Sequence, residues 1–132
     1  MLIGGCLCGS IRYELEGEPA GFYHCHCKRC RKSTGTGHAS NIMVKHGKLV
    51  FTQGEDFLRR YKVPEAKRFS RQFCSNCGSV VAREVPEIEA VVIPAGSLDT
   101  EPPMRPQATI FWDSRAEWSC SDDLPQYPES PL

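Results

Sequence analysis

A mainly β fold, made of several small antiparallel sheets in a single domain, is what this sequence predicts, and three features carry that reading. Apolar and polar residues alternate with period two over short stretches. Glycine and proline interrupt the chain before a long helical period can establish itself. Cysteines fall into tight clusters, and metal cross-links would give rigidity to sheets this small.

In chain order, Ser10 to Glu16 places Ile11, Tyr13 and Leu15 on one face and Arg12, Glu14 and Glu16 on the other. Strand candidates Asn41 to Val44 and Lys48 to Thr52 flank a turn at His46-Gly47. Pro64-Glu65 separates the candidates Phe57 to Val63 and Lys67 to Phe73. Val80 to Val85, Ala90 to Pro94 and Ala108 to Trp112 are rich in β-branched or aromatic residues. The single helical candidate is Lys28 to Ser33, stopped by Thr34-Gly35. One domain spans 1–132, and its proline-rich acidic tail, Asp122 to Leu132, is expected to lie extended on the surface. Tyr23, Phe111, Trp112 and Trp118 read as core, and His38 and His46 as surface residues.

Composition narrows the function classes. The 132 residues carry no formal net charge, which argues against a nucleic-acid partner or an anionic membrane surface. The longest apolar runs, such as Ala90 to Ala95, are too short to span a bilayer. The first residues lack a charged segment followed by an apolar stretch, so the expectation is no signal peptide and a cytoplasmic location.

Eight cysteines in a chain of this length invite either disulfides or metal. The spacing favours metal: Cys6-Leu7-Cys8, Cys25-His26-Cys27-Lys28-Arg29-Cys30 and Cys74-Ser75-Asn76-Cys77 gather thiols locally, as several bonds converging on one ion require. The clusters supply two, three and two ligands. Structural zinc takes four, and catalytic zinc takes three protein ligands plus an open position. Cys6, Cys8, Cys74 and Cys77 thus make one closed site, and Cys25, Cys27 and Cys30 make one open site. The expectation is two Zn2+ per chain, the second more labile and partly occupied. Against the open site stands a closed finger-like one with a histidine or a distant residue as fourth ligand. Strand parity, which turns His24 and His26 away from Cys25 and Cys27, favours the open form. Lys28, Arg29 and Arg31 are either a solvated helix face or a recess that offsets thiolate charge and receives a substrate carboxylate. Cys120 stands apart from every cluster and reads as a small buried side chain or an idle thiol.

Together these residues resemble the glutathione-dependent formaldehyde-activating enzyme family. The matching stretches are Gly4-Gly5-Cys6-Leu7-Cys8-Gly9-Ser10-Ile11-Arg12-Tyr13, His24 to Gly35, and Arg71 to Ser79. Ala95-Gly96-Ser97-Leu98-Asp99, Pro106, Arg115, Trp118 and Leu124-Pro125-Gln126-Tyr127 follow in the same order. The resemblance implies the Mss4-like, β-tent fold shared with guanine-nucleotide-exchange chaperones and methionine-R-sulfoxide reductases. It implies a structural zinc on Cys6, Cys8, Cys74 and Cys77 and a catalytic one on Cys25, Cys27 and Cys30. The activity implied is that of a carbon–sulfur lyase acting on a small thiol–aldehyde adduct such as S-hydroxymethylglutathione, with glutathione and formaldehyde as its components. The chain begins five residues before Cys6, where the named enzyme carries further sequence, so the named activity is expected to be weak or absent. A non-catalytic, zinc-stabilised binding module is the alternative from another class.

Overall fold

The computed structural model of the chain describes residues 1–119 and 123–131. Strands β1 (Leu2–Gly5), β2 (Arg12–Glu16), β3 (Pro19–Cys25), β4 (Ala39–Lys45), β5 (Lys48–Gln53), β6 (Leu58–Lys62), β7 (Ser70–Cys74), β8 (Val80–Val81), β9 (Arg83–Val85), β10 (Ala90–Pro94) and β11 (Ala108–Ile110) form three sheets, and α1 (Lys28–Thr34) is a short helix between β3 and β4. The sheets run β1-β2-β5, β11-β3-β4-β10-β9 and β6-β7-β8. Among the described residues no helix is long and apolar enough to cross a membrane.

The period-two reading of β2 holds: Ile11, Tyr13 and Leu15 are buried, while Arg12 and Glu16 face solvent. They pack with Ile42, Val44, Val91, Ile93 and Val81 into one core shared by all three sheets. Each such side chain is worth roughly 1.5–3 kcal/mol when fully buried. Pro64-Glu65 does separate a hairpin, since β6 and β7 pair antiparallel with Arg60 opposite Gln72. The His46-Gly47 turn exists, with His46 exposed and at φ 52°, but it joins two sheets rather than two paired strands. β4 already has β3 and β10 on its two edges, so β5 pairs with β2 instead.

Val80–Val85 likewise divides between two sheets as β8 and β9. Among the described residues the one parallel pairing is β11 on β3, with Ile110 opposite Cys25. Gln107 sets it up: its N–H donates to the Phe22 carbonyl at 2.8 Å, and its side-chain oxygen accepts from the Phe22 N–H at 3.2 Å. The tail over 123–131 is exposed and carries no helix or strand. Asp122 and Leu132 lie outside the described residues.

Three aromatic assignments to the core are overturned. Phe111, Trp112 and Trp118 are exposed at 62%, 42% and 69%. β11 is an edge strand that ends at Ile110, and Phe111 then turns into the left-handed region at φ 54°. Trp112 and Trp118 sit in single 3-10 turns with no sheet partner. Tyr23 is half-buried. His38 is no free surface residue either, since its half-buried ring stacks on His24 with centroids 4.1 Å apart.

Candidate functional site

The first cysteine group is assembled from two sheets. Cys6 and Cys8 leave the end of β1, and Cys74 closes β7 before the chain turns through Cys77. Gly78, at φ 77°, makes that turn and donates its N–H to the Cys74 carbonyl at 2.8 Å; a side chain there would be strained. The four Sγ atoms all lie within 4.8 Å of one another. Cys6 Sγ is 3.6 Å from Cys8 Sγ, and Cys8 Sγ is 3.9 Å from Cys74 Sγ. Ligands about 2.3 Å from a tetrahedral zinc stand about 3.8 Å from each other, so this donor set fits such an ion. Donors reach two of the sulfurs: the Ile11 N–H lies 3.2 Å from Cys6 Sγ, and the Asn76 side-chain amide 3.2 Å from Cys8 Sγ. Hydrogen bonding with Ser10 and Asn76 draws the Cys8 thiol down to about 7, and Ser79 draws Cys77 down to about 5.

The second group sits where β3 meets α1. Cys25 is the last residue of β3, Cys27 is the N-cap of α1, and Cys30 is buried in its first turn. Cys27 is extended (φ −62°, ψ 154°) and its Sγ accepts the Cys30 N–H at 3.3 Å, the role a serine or aspartate usually fills. Gly35 ends the helix in the left-handed region and bonds back to Arg31, as the Thr34-Gly35 stop predicts. The three Sγ atoms lie within 4.8 Å of one another, and no further histidine, cysteine or carboxylate joins them among the described residues. Burial pushes the Cys25 and Cys30 thiols up, because a dry site disfavours the charged thiolate. This set also fits a metal, with three sulfur donors in place of four. Parity has the expected effect on the neighbours. His24 stacks on His38, and His26 packs edge-on to Trp112 at 5.2 Å, both away from the sulfurs. Cys120 lies outside the described residues.

Both groups are therefore brought together as the spacing predicts, and the seven described cysteines are free thiols. Of the first group, Cys6 borders a recess of about 540 Å³, whereas all three cysteines of the second line one cavity. This cavity measures about 620 Å³, and Cys25, Cys27 and Cys30 form part of its wall. Lys28 and Arg29 line it too, whereas Arg31 turns aside and donates to the Ser114 carbonyl at 2.9 Å. Met43, Val85, Val92, Ile110 and Phe111 give the wall an apolar part, and Ile110 packs directly against the cysteine cluster.

Sequence reasoning missed most of the lining residues, among them Tyr23, Lys67, Arg68, Arg83 and Phe111. Arg83 is the most informative. It is only 7% exposed, and its Nε has no hydrogen-bond partner. Burial, with Arg71 beside it, pulls its guanidinium down to about 10. A signal was present in the sequence, because Arg83 shares the core-facing parity of Val81 and Val85.

Comparison with known proteins follows the same lines. A search of curated proteins finds no significant match. Among solved structures, the chain resembles the crystal structure of a Rhodobacter sphaeroides protein with TM-score 0.63 and 20% identity, over 81% of this chain and 98% of that one. This likeness concerns the fold. The family pattern described as glutathione-dependent formaldehyde-activating enzyme matches residues 1–114, a span that includes both cysteine groups and the cavity beside the second. The chain belongs to the glutathione-dependent formaldehyde-activating enzyme family.

Proposed function

We propose that the protein is a zinc-dependent enzyme of the carbon–sulfur lyase type, acting in the cytoplasm on a small thiol–aldehyde adduct such as S-hydroxymethylglutathione. The observation that carries this reading is the position of the Cys25, Cys27 and Cys30 sulfurs on the wall of a 620 Å³ cavity. That volume lies within the range of small-molecule sites. Cys6, Cys8, Cys74 and Cys77 hold a structural zinc in this reading, remote from the chemistry.

In the lyase direction the adduct's carbon–sulfur bond breaks and its electron pair stays on sulfur, which takes up a proton. The hydroxymethyl group loses its hydroxyl proton and becomes the aldehyde. Zinc on Cys25, Cys27 and Cys30 supplies Lewis acidity for the oxygen or the sulfur involved. The chain's own residues bind and orient. Lys28 and Arg29 present cations at the cavity to an acidic substrate end, and the apolar wall formed by Val92 and Ile110 excludes water from the remainder. A metal held by these three residues would be carried by a strand end and a helix start rather than by a long loop.

The test is exchange NMR of formaldehyde with glutathione and with a second small thiol, with and without the zinc-loaded protein. Faster exchange into at least one hydroxymethyl adduct is expected, and its loss in Cys27→Ser. No acceleration with either thiol would sink the reading.

A further inference from the structure

The cavity beside the second cysteine group has an excess of positive charge. Lys28, Arg29, Lys67, Arg68 and Arg83 line it, and no aspartate or glutamate does. A divalent ion on three thiolates would leave a single negative charge, so most of these cations have no counter-charge in the cavity wall. Four of them are exposed and can be hydrated. Arg83 cannot. It is 7% exposed, its Nε lacks any hydrogen-bond partner, and no carboxylate lies within ion-pair distance of it among the described residues. A buried guanidinium with an unused donor is a costly arrangement unless something from outside completes it.

We propose that Arg83 is the specificity-determining residue of this cavity, receiving the carboxylate of a substrate whose apolar body lies along Val85, Val92 and Ile110. The inference rests on the cavity being the substrate pocket, as proposed above. Val85 belongs to the same strand as Arg83, so the anionic and apolar contacts are offered side by side. An ion pair made in this dry position is stronger than one made with the hydrated Lys28 or Arg29. A guanidinium also grips a planar carboxylate with two parallel N–H bonds, which a lysine cannot do. Arg83 therefore selects acids over neutral analogues, and the outer cations add attraction without much selection.

The probe is hexanesulfonate, a weak zinc ligand that contains neither thiol nor carbonyl. Its binding is independent of lyase chemistry, so either idea can fail without the other. With the zinc-loaded, 15N-labelled protein, titration is expected to shift the Arg83 Nε–H resonance. The dissociation constant is expected to rise at least tenfold in Arg83→Gln and less in Arg83→Lys, while Lys48→Gln, on β5 and outside the cavity wall, changes it less than threefold. 1-Hexanol is expected to bind at least tenfold more weakly than the sulfonate. An Arg83 Nε–H signal that stays in place at saturation overturns the proposal, and this reading needs no variant to fold. Equal affinity in Arg83→Gln, or equal binding of hexanol, overturns it as well. If Arg83→Gln loses zinc while its affinity for the probe is unchanged, the guanidinium serves the metal alone and the proposal is wrong.

Discussion

Cys8 Sγ lies 3.9 Å from Cys74 Sγ across a sequence separation of 66 residues. One belongs to the turn after β1 and the other to the end of β7, so the contact ties the β1-β2-β5 sheet to the β6-β7-β8 sheet. A metal shared by these thiols acts as a cross-link closing a long loop, and structural zinc in small peptides supplies on the order of 10 kcal/mol. A domain's whole stability is typically about 5–15 kcal/mol. Cys74→Ser is accordingly expected to abolish cooperative thermal unfolding, followed by circular dichroism, and to release the metal. A Cys74→Ser protein that melts like the parent would show that this group does not hold the sheets together.

The second group should behave differently. Its three sulfurs come from one contiguous stretch, Cys25 to Cys30, so releasing an ion there opens no long loop. β3 is paired on both edges, with β4 and β11, through backbone bonds that do not run through the sulfurs. A mild chelator is expected to remove one zinc of two with no change in the far-ultraviolet spectrum, and Cys27→Ser to bind one zinc per chain. Loss of both metals in a single unfolding step would contradict the assignment of separate roles.

Much of this arrangement could be read from sequence because it depends on local spacing. Cys-x-Cys and Cys-x-x-Cys bring sulfurs together through a turn of a few residues, and the alternation at Ile11, Tyr13 and Leu15 fixes a buried face independently of the partner strands. What could not be read was which strands pair across distance. The sequence of β4 and β5 reads equally well as a hairpin, and only the packing of β3 and β10 on β4 rules that out. Phe111 was legible as aromatic but not as exposed, because its environment depends on β11 ending one residue earlier. Arg83 was visible at a core-facing position, but its meaning needed the cavity that forms around it.

Arg71 offers a third test, at the helix that carries Cys30, whose carbonyl accepts from Ser33 Oγ at 3.2 Å. It is 7% exposed, its Nε donates to Ser33 Oγ at 2.8 Å, and its Nη2 has no partner. This bond fastens the last turns of α1 to β7. Ser33→Ala removes the acceptor and leaves a second buried guanidinium donor unpaired, at a cost of about 1–3 kcal/mol. Ser33→Thr keeps the hydroxyl and is expected to cost less. Chemical denaturation of the zinc-loaded protein measures both, and an unperturbed midpoint for Ser33→Ala would mean that water replaces the hydroxyl at that position.

The last prediction separates binding from stability at Phe111. Its backbone sits at φ 54°, where an L-residue is disfavoured by roughly 1–2 kcal/mol, and its ring is 62% exposed while lining the cavity. A side chain held in a strained backbone and left largely in water contributes little to folding, and strain of this kind tends to persist at functional positions. Phe111→Gly removes ring and strain together. Phe111→Ala removes the ring and keeps the strain. Both variants lose the same aromatic surface, so both are expected to weaken hexanesulfonate binding by a similar factor, about fivefold if the ring covers part of the apolar body. Their stabilities should diverge, with Phe111→Gly more stable than Phe111→Ala by about 0.5–1 kcal/mol after the extra freedom of the unfolded glycine is counted. Denaturation midpoints and titration of the probe measure the two effects independently. Equal midpoints would show that the left-handed turn is not strained, and undiminished affinity in both variants would show that the ring at the cavity takes no part in binding.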